Sequence, residues 1–202
     1  MDQNALIILM KNPELGHVKT RLAKKVGDGK ALEVYMLLLD HARKITHNLD
    51  SIKKYLFYST FINQNDEWSG HIYKKFLQKG DDLGERMLNA FKLTLKDTNK
   101  AILIVTDCYE LDSKIIKNAF NELSKNDVVI GPDTDGGYYL IGMNNLYPKL
   151  FQNKKWSTET VCSDTIQDIE DLNLTYVKLK HLSDVDTYED LMKSDLFKIL
   201  NK

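Results

Sequence analysis

The chain has 202 residues, and 28 Lys+Arg against 29 Asp+Glu leave a formal net charge of −1 at pH 7. A charge this close to zero provides no electrostatic footprint for general nucleic-acid binding. The composition, 43% hydrophobic and 28% charged, excludes a disordered or fibrous chain. We expect a single domain over residues 1–202, in the cytoplasm, with two free thiols, no membrane span and no nucleic-acid partner.

Predicted strands and helices alternate along the chain. Apolar runs predict strands at residues 5–10, 55–59, 72–77, 101–105, 128–131, 138–142 and 175–179. Apolar residues at helical spacing predict one long helix around residues 32–42, and further helices at 83–95, 113–123, 158–172 and from 187. The alternation predicts an α/β sandwich with a mainly parallel sheet, in which a hairpin near Asp135 makes one strand antiparallel.

A glycine-bearing basic segment follows the first predicted strand, at the end where open α/β sheets bind their ligands. Residues 11–22 read KNPELGHVKTRL. Gly16 permits a positive φ and lets backbone N–H groups approach an anion. Lys19 supplies a point charge, and Arg21 can hold phosphate oxygens through two parallel hydrogen bonds. The segment therefore predicts either a phosphate site, of neither the Walker A nor the G-x-G-x-x-G type, or a solvated basic loop before a helix.

Carboxylates follow two other predicted strands. Asp107 comes directly after the most hydrophobic strand, where it could ligate Mg²⁺ or Mn²⁺ or simply begin a polar loop. Asp184 and Asp186 follow the last strand, where paired carboxylates could complete a divalent metal site. The neighbouring Thr187 and Asp190 form a predicted capping box, and Asp112 is the predicted N-cap of the helix at residues 113–123.

Two further glycine-bearing segments have both a structural and a functional interpretation. In residues 80–87, GDDLGERM, Asp82 and Glu85 could cap a helix. In residues 131–142, GPDTDGGYYLIG, the Asp-Gly pair is a hairpin signal, while Gly136 and Gly137 could let a sugar or an acceptor approach the backbone.

These segments occur in an order that resembles a bacterial family of small GT-A-like nucleotide-diphospho-sugar transferases. The family is labelled DUF2064 or glycosyltransferase, and includes proteins similar to the rSAM/selenodomain-associated transferase. Its pattern is similar to K-x-P-x-x-G-x-V-K-T-R-L, G-D-L-G-E-R-M, S-D-C-P-x-L, G-P-x-x-D-G-G-Y-Y-L-I-G, W-S-T and D-V-D-T-x-x-D-L, matched here between residues 11 and 191. The resemblance implies a GT-A fold, a three-layer α/β/α sandwich with a mainly parallel, mixed central sheet. More distantly, the layout is similar to molybdenum-cofactor and phospholactate nucleotidyltransferases.

The resemblance also implies a nucleotide substrate, an unknown acceptor and a divalent ion, Mg²⁺ or Mn²⁺. By matching position, Asp107 and Asp186 would hold the metal. Residues implied for the nucleotide, donor or acceptor are Lys11, Gly16, Lys19, Thr20, Arg21, Gly84, Arg86, Gly136, Gly137, Tyr138, Trp156 and Thr158. Asp107, Asp135 and Lys19 are the candidate catalytic residues, and Glu159 is a second candidate general base by its chemistry alone.

Tyr109 and Glu110 depart from the family pattern, because they stand where it has a proline that would set the turn after Asp107. The leading hypothesis is a metal-dependent glycosyltransferase that moves a sugar from a nucleoside diphosphate-sugar to the acceptor. One alternative is a nucleotidyltransferase that joins an NTP to a phosphorylated small molecule and releases pyrophosphate. The other is a nucleotide-binding module without turnover.

Overall fold

A computed structural model describes residues 4–200 of the chain, whose strands form one mixed sheet. In chain order the strands are β1 (Asn4–Met10), β2 (Ile52–Tyr58), β3 (Tyr73–Leu77), β4 (Lys100–Val105), β5 (Val128–Pro132), β6 (Tyr138–Met143) and β7 (Tyr176–Lys178). Across the sheet the order is β3-β2-β1-β4-β6-β5-β7. β6 runs antiparallel to both of its neighbours and the other pairs are parallel, so the predicted mainly parallel, mixed sheet is confirmed.

The helices are α1 (Thr20–Val26), α2 (Asp28–His47), α3 (Leu83–Thr94), α4 (Ser113–Glu122), α5 (Val161–Asp171), α6 (Tyr188–Lys193) and α7 (Leu196–Leu200), with a 3₁₀ turn at Pro148–Phe151. The short helix α1 was not predicted by the apolar spacing. It is separated from α2 by Gly27, whose φ of 80° and ψ of 160° interrupt the helical backbone. Glycine adopts this positive φ at low cost.

Helices cover both faces of the sheet, and β1 shows why. Its side chains alternate between the two faces, as they do in any strand. Leu6, Ile8 and Met10 pack in the core that also contains residues of α2 and α4. Ala5, Ile7 and Leu9 pack in the core that contains residues of α3 and α5. The continuous apolar run at the start of the chain is thus a central strand buried on both sides, which is typical of a three-layer α/β/α sandwich.

The predicted caps are present, whereas the start of α5 differs from its prediction. Asp112 accepts a hydrogen bond from the N–H of Ile115 at 2.8 Å, and Thr187 forms its capping box with Asp190. The predicted start of α5 at residue 158 is wrong by three residues. Ser157 has a φ of 64°, and the right-handed helix begins only at Val161.

The antiparallel β6 brings a further loop to the ligand-binding edge of the sheet. Because β6 is antiparallel to both β4 and β5, β5 runs in the same direction as β4, and a turn after β5 leads directly into β6. Residues 133–137 therefore lie at the same edge as the loops that follow β1 and β4. Cys108 and Cys162 are buried free thiols, as predicted. Within residues 4–200, no helix combines the length and the apolar character needed to cross a membrane.

Candidate nucleotide site

Lys19 links two segments of the carboxyl edge that lie far apart in the sequence. Its Nζ atom lies 2.9 Å from Oδ2 of Asp107, just beyond β4, and 2.8 Å from Oδ1 of Asp186, just before α6. The Lys19 side chain is 4% exposed, whereas the two carboxylate side chains are 35% and 38% exposed. The ammonium group is therefore enclosed, while each carboxylate keeps a solvent-facing side.

The backbone around these ion pairs is fixed by local geometry. Gly16 has a φ of 77°, so the predicted positive φ is confirmed. Lys19, the residue before α1, has a φ of 48° and a ψ of 43°. This left-handed conformation costs a non-glycine residue about 1–2 kcal/mol. The N–H of Val185 donates to the carbonyl of Asp107 at 3.0 Å, which ties the Asp186 segment directly to the loop after β4.

A cavity of about 180 Å³ adjoins the ion pairs. Its lining contains three cations and two carboxylates, and consists of Lys11, Val18, Lys19, Thr20, Arg21, Tyr35, Thr106, Asp107 and Asp186. The side chain of Arg21 is 60% exposed, and its Nη1 atom lies 3.7 Å from Oδ2 of Asp186. Because Arg21 is held so loosely, its guanidinium group can turn toward an anion in the cavity.

Each charged group of these ion pairs stabilises the charged form of its partner. Burial lowers the pKa of Lys19, but Asp107 and Asp186 outweigh burial and hold that pKa above its usual range. Burial raises the pKa of Asp186, but Lys19 and then Arg21 outweigh burial and hold that pKa below its usual range. Lys19 is consequently cationic, and Asp186 anionic, at neutral pH.

Asp184 behaves differently from its neighbours. Burial, followed by the charges of Asp107 and Asp133, raises the pKa of Asp184 well above its usual range. Its Oδ1 atom is buried and has no hydrogen-bond partner within the described part of the chain. Asp184 is thus poorly suited to act as a third anionic ligand beside Asp107 and Asp186.

The fit of a divalent ion depends on two carboxylates. Between residues 4 and 200, no group of three or more Asp, Glu, His or Cys side chains is arranged to hold a metal ion. Mg²⁺ is, however, commonly held by one or two protein carboxylates together with substrate phosphates. Asp107 and Asp186 fit that mode of binding if the ammonium of Lys19 leaves the space between them. The metal assignment accordingly stays a prediction.

Tyr35 belongs to this site, although its position in the sequence predicts only an apolar residue of a helix. Its hydroxyl group accepts a hydrogen bond from the N–H of Lys11 at 2.9 Å and donates to the Lys11 carbonyl at 3.0 Å. The same hydroxyl lies 3.5 Å from Oγ1 of Thr106. Burial and then the charge of Asp107 raise the pKa of Tyr35 above its usual range. Helical spacing gives such a tyrosine no signal that distinguishes it from a core tyrosine.

The two residues that replace the family proline hold the loop after Asp107 by contacts of their own. The ring of Tyr109 lies 4.5 Å from the ring of His41 on α2, centroid to centroid. Oε2 of Glu110 accepts a hydrogen bond from the N–H of Ser183 at 2.9 Å. Although the family proline is absent, these two contacts attach the loop to α2 on one side and to the segment at Ser183 on the other.

Gly84 and Arg86, which the resemblance implies for binding the nucleotide, donor or acceptor, lie in a packed corner at the start of α3. A Cβ atom at Gly84 would overlap the Phe151 carbonyl oxygen and the ring of Trp156. Nε of Arg86 donates to the carbonyl of Gly80 at 3.1 Å. Asp82 accepts from the N–H of Glu85 at 2.8 Å, as the helix-cap interpretation predicted.

The turn after β5 is organised by Asp133, a buried residue that the sequence analysis did not single out. Its Oδ1 atom accepts from the N–H of Asp135 at 2.9 Å and from that of Gly137 at 2.8 Å. Gly136 has a φ of 88°, and a Cβ atom there would overlap the backbone of Glu159. The turn therefore holds Asp135 exposed, close to the segment that precedes α5.

The structure divides the predicted site residues into two groups. Those that line the cavity are Lys11, Lys19, Thr20, Arg21, Asp107 and Asp186. Those outside its lining, among residues 4–200, are Gly16, Gly84, Arg86, Asp135, Gly136, Gly137, Tyr138, Trp156 and Thr158. Tyr138 is buried in the core, where its hydroxyl lies 3.8 Å from the sulfur of Met87, and Thr158 donates to the carbonyl of Lys155 at 2.7 Å.

Solved structures share this architecture. A protein from Desulfovibrio desulfuricans G20, provisionally described as a nucleotide-diphospho-sugar transferase, has a TM-score of 0.86 and 26% identity, over 100% of this chain and 95% of that chain. The inositol-1-phosphate CTP transferase from T. maritima has a TM-score of 0.59 and 12% identity, over 100% of this chain and 97% of that chain. CMP:2-keto-3-deoxy-manno-octonic acid synthetase complexed with CTP has a TM-score of 0.57 and 8% identity, over 98% of this chain and 100% of that chain. The chain therefore has the nucleotide-diphospho-sugar transferase-like fold.

The family assignment comes from the sequence. The family model DUF2064, described as an uncharacterized protein conserved in bacteria, matches residues 44–158. Because this match covers more than half of the chain, the chain belongs to the DUF2064 family, and the resemblance found in the motifs is confirmed. No curated protein matches the chain.

Proposed function

We propose that this chain is a transferase that acts on a nucleotide whose phosphates bind beside Lys11, Lys19 and Arg21. The observation that carries the proposal is the convergence of these three cations on one cavity at the carboxyl edge of the sheet. Lysine and arginine hold phosphate oxygens by charge-assisted hydrogen bonds. Proteins with the same fold are named as transferases or synthetases, two of them with CTP in their names, which supports a nucleotide substrate.

We propose further that Asp107 and Asp186 hold Mg²⁺ or Mn²⁺ when the nucleotide is bound. Such an ion would stabilise the negative charge that develops on the leaving phosphates. The ammonium of Lys19, once released from the carboxylates, would bind a phosphate oxygen in the adjoining cavity. The guanidinium of Arg21 would hold the same phosphates from the exposed side.

Sugar transfer is the leading reaction within this class. The oxygen of an acceptor hydroxyl would form a bond to the anomeric carbon, and the bond from that carbon to the diphosphate would break. The hydroxyl proton would pass to the exposed carboxylate of Asp135, with Glu159 as the alternative base. The provisional name of the 26% identical Desulfovibrio protein favours this reaction.

Nucleotidyl transfer is the second candidate, and a specific observation favours it. The cavity lining holds three cations, and a triphosphate carries more negative charge than a diphosphate-sugar. In this reaction an oxygen of a phosphorylated small molecule would attack the α-phosphorus of the NTP. Pyrophosphate would leave as the bond between the α- and β-phosphates breaks.

A panel of sugar nucleotides and NTPs, each with Mg²⁺ or Mn²⁺, separates the candidates. A ligand present at one hundred times its Kd raises stability by about 2.7 kcal/mol, which thermal unfolding detects readily. NDP release from a sugar nucleotide would support sugar transfer, and pyrophosphate release from an NTP would support nucleotidyl transfer. A ligand that stabilises the fold but is never consumed would identify a binding module and contradict the proposed transferase.

Arg21→Ala is expected to weaken nucleotide binding about tenfold or more, because a hydrogen bond to a charged group contributes about 1.5–3 kcal/mol. The matched control is Arg43→Ala, since Arg43 pairs with Asp40 at 2.6 Å on α2 and does not line the cavity. Calorimetric titration of each variant with the ligand chosen from the panel measures the effect. Greater sensitivity at Arg43 than at Arg21 would contradict the phosphate site.

Asp107→Asn is expected to abolish metal-dependent turnover and to leave the fold intact, because the Asp107 side chain is about one-third exposed. Asp195→Asn is the control, as Asp195 is exposed and pairs only with Lys198 among the described salt bridges. Turnover is measured as product release, and folding by circular dichroism. Undiminished turnover in the Asp107 variant would disprove the metal assignment.

A further inference from the structure

The ammonium of Lys19 occupies the point at which the carboxylates of Asp107 and Asp186 converge. The distances from its Nζ atom to the two carboxylate oxygens are 2.9 and 2.8 Å. A divalent ion held by the same two oxygens would need them at about 2.0–2.6 Å, depending on the metal. An ammonium and a metal ion cannot occupy this point together, so each must exclude the other.

Lys19 holds this position against its own backbone preference. Its left-handed φ of 48° is unfavourable for a residue with a Cβ atom. Strained backbone of this kind persists only where the surrounding structure imposes it. The ion pairs with Asp107 and Asp186 are part of that surrounding structure, so loss of the pairs would make a move of the side chain easier.

The structure also provides a place for the displaced ammonium. The 180 Å³ cavity is lined by Lys19 itself together with two further cations, Lys11 and Arg21. An anion bound between those two cations would lie within reach of Lys19. It would therefore compete with Asp107 and Asp186 for the ammonium.

We propose that Lys19 is an internal cation that keeps a divalent metal ion away from Asp107 and Asp186 until an anion in the adjoining cavity draws the ammonium off. Anion binding and metal binding would then favour each other, and the coupling is reciprocal by thermodynamic necessity. The inference rests on the proposed function only for the identity of the natural anion. The competition between Lys19 and the metal ion needs no nucleotide.

The test is a titration with Mn²⁺ alone, followed by the electron paramagnetic resonance signal of the free ion. Lys19→Met is expected to bind one Mn²⁺ about tenfold more tightly than the unmodified protein, within the range of typical coupling. Lys75→Met is the matched control, because Lys75 is also buried and pairs with Asp66 at 2.7 Å, away from the cavity. The control is expected to bind Mn²⁺ as the unmodified protein does.

A second substitution tests whether the additional Mn²⁺ affinity comes from the proposed carboxylates. Adding Asp186→Asn to Lys19→Met is expected to remove the additional Mn²⁺ affinity. Lys19→Met binding no more tightly than the unmodified protein would overturn the proposal, as would an equal gain in the Lys75 variant. Retention of the gain after Asp186→Asn would overturn it as well.

The unmodified protein provides a test that does not depend on how the variants fold. Its Mn²⁺ affinity is measured with and without inorganic sulfate, an anion that chelates Mn²⁺ only weakly. A severalfold rise in affinity with sulfate is expected, and an unchanged affinity would overturn the proposal. Neither experiment uses a nucleotide, so failure of the proposed function would be seen separately, in the product assays.

Discussion

The glycines of the predicted nucleotide site have steric reasons to be glycine. Gly84 lies against the Phe151 carbonyl and the Trp156 ring, and Gly136 lies against the backbone of Glu159. A Cβ atom at Gly137 would come within 2.7 Å of Oδ2 of Asp133. Close packing therefore explains why these positions are glycine. A role of the same glycines in binding would be additional to this steric reason.

Gly84→Ala is expected to destabilise the protein by about 1–3 kcal/mol, the usual cost of overpacking a filled core. Gly29→Ala is the control because Gly29 lies in the first turn of α2 with nothing within 4 Å of its added Cβ atom. The control is expected to be neutral or stabilising by up to about 1 kcal/mol. Urea denaturation measures both variants, and equal stability of the two would contradict the steric explanation.

Three arginines in a chain otherwise rich in lysine occupy three different environments. Arg21 lines the cavity, and its predicted role in holding phosphate oxygens stays a prediction. Arg86 holds the start of α3 through the Gly80 carbonyl. Arg43, which the motifs leave unexplained, pairs with Asp40, and its carbonyl accepts a hydrogen bond from Tyr73 at 3.3 Å. The sequence could place Arg21 because its neighbours form a motif, whereas the partners of Arg43 have no motif of their own.

At the scale of elements, α2 supports the loop after β4 through one histidine. Nε2 of His41 lies 2.8 Å from the Leu111 carbonyl, and its ring contacts Tyr109. Burial lowers the pKa of His41, although the Leu111 carbonyl and Asp40 act in the opposite direction. The folded protein therefore takes up a proton at this position less readily than the unfolded chain does.

His41 is expected to make the folded protein lose stability as the pH falls below neutrality. In the unfolded chain a histidine has a pKa of about 6.5, so the unfolded state binds the proton first as the pH falls. The contribution is present above about pH 6.5 and is lost as the pH falls through the lower pKa of the folded state. His41→Phe keeps an aromatic ring beside Tyr109, and is expected to lose less stability between pH 7 and pH 5 than the unmodified protein does.

The comparison uses urea denaturation at several pH values, with His71→Phe as the control. His71 is exposed and lies outside the contact with Tyr109. The control is expected to follow the pH dependence of the unmodified protein, although His41→Phe is less stable overall because it lacks the bond to Leu111. Parallel curves for the His41 variant and the unmodified protein would contradict the role of His41.

Element boundaries were predictable where a chemical signal marks them. Asp112 and Thr187 cap their helices as predicted, because their side chains supply the acceptor that a helix start requires. Helix α1 and the first turn of α2 were missed, since the apolar residues that predict the long helix begin only at Leu32. The late start of α5 has no such mark, because its N-cap residue, Thr160, makes no side-chain cap hydrogen bond.

For the whole molecule, the order of strands decides which parts of the chain are indispensable. β1 is hydrogen-bonded to β2 on one side and to β4 on the other, in parallel along nearly its full length. The family match over residues 44–158 excludes β1, and it also excludes Lys19 and Asp186. The most recognisable part of the sequence thus lacks both β1, an interior strand of the sheet, and most of the residues that line the cavity.

A fragment consisting of residues 44–158 is therefore expected not to fold. Without β1, the facing edges of β2 and β4 lose their hydrogen-bonding partner. The two apolar cores on either side of the sheet also lose the side chains that β1 contributes to them. Circular dichroism and the spread of amide signals in a nitrogen–proton correlation spectrum measure the result, with the full chain as the reference. A fragment that unfolds cooperatively would contradict the prediction.

The sheet composition was predictable and its spatial order was not. The alternation of apolar runs and amphipathic segments predicts a mainly parallel sheet, and the hairpin signal predicts its antiparallel strand. No local pattern shows that β6 lies between β4 and β5, because that position depends on which edges pair in three dimensions. The ion pairs of Lys19 are equally invisible in the sequence, since their partners lie in other segments and carry no pairing signal.

The separation between Lys19 and Asp186 has a consequence for the protein during its synthesis. The two residues are 167 positions apart. At translation rates of about 5–20 residues per second, Lys19 exists for roughly 10–30 s before its second partner is made. Once Lys19 has left the ribosome, its amine is expected to react with acylating reagents until the ion pairs form, whereas the finished protein encloses it. Acylation of ribosome-bound chains arrested before residue 186, compared with the released protein, would show when this part of the molecule closes.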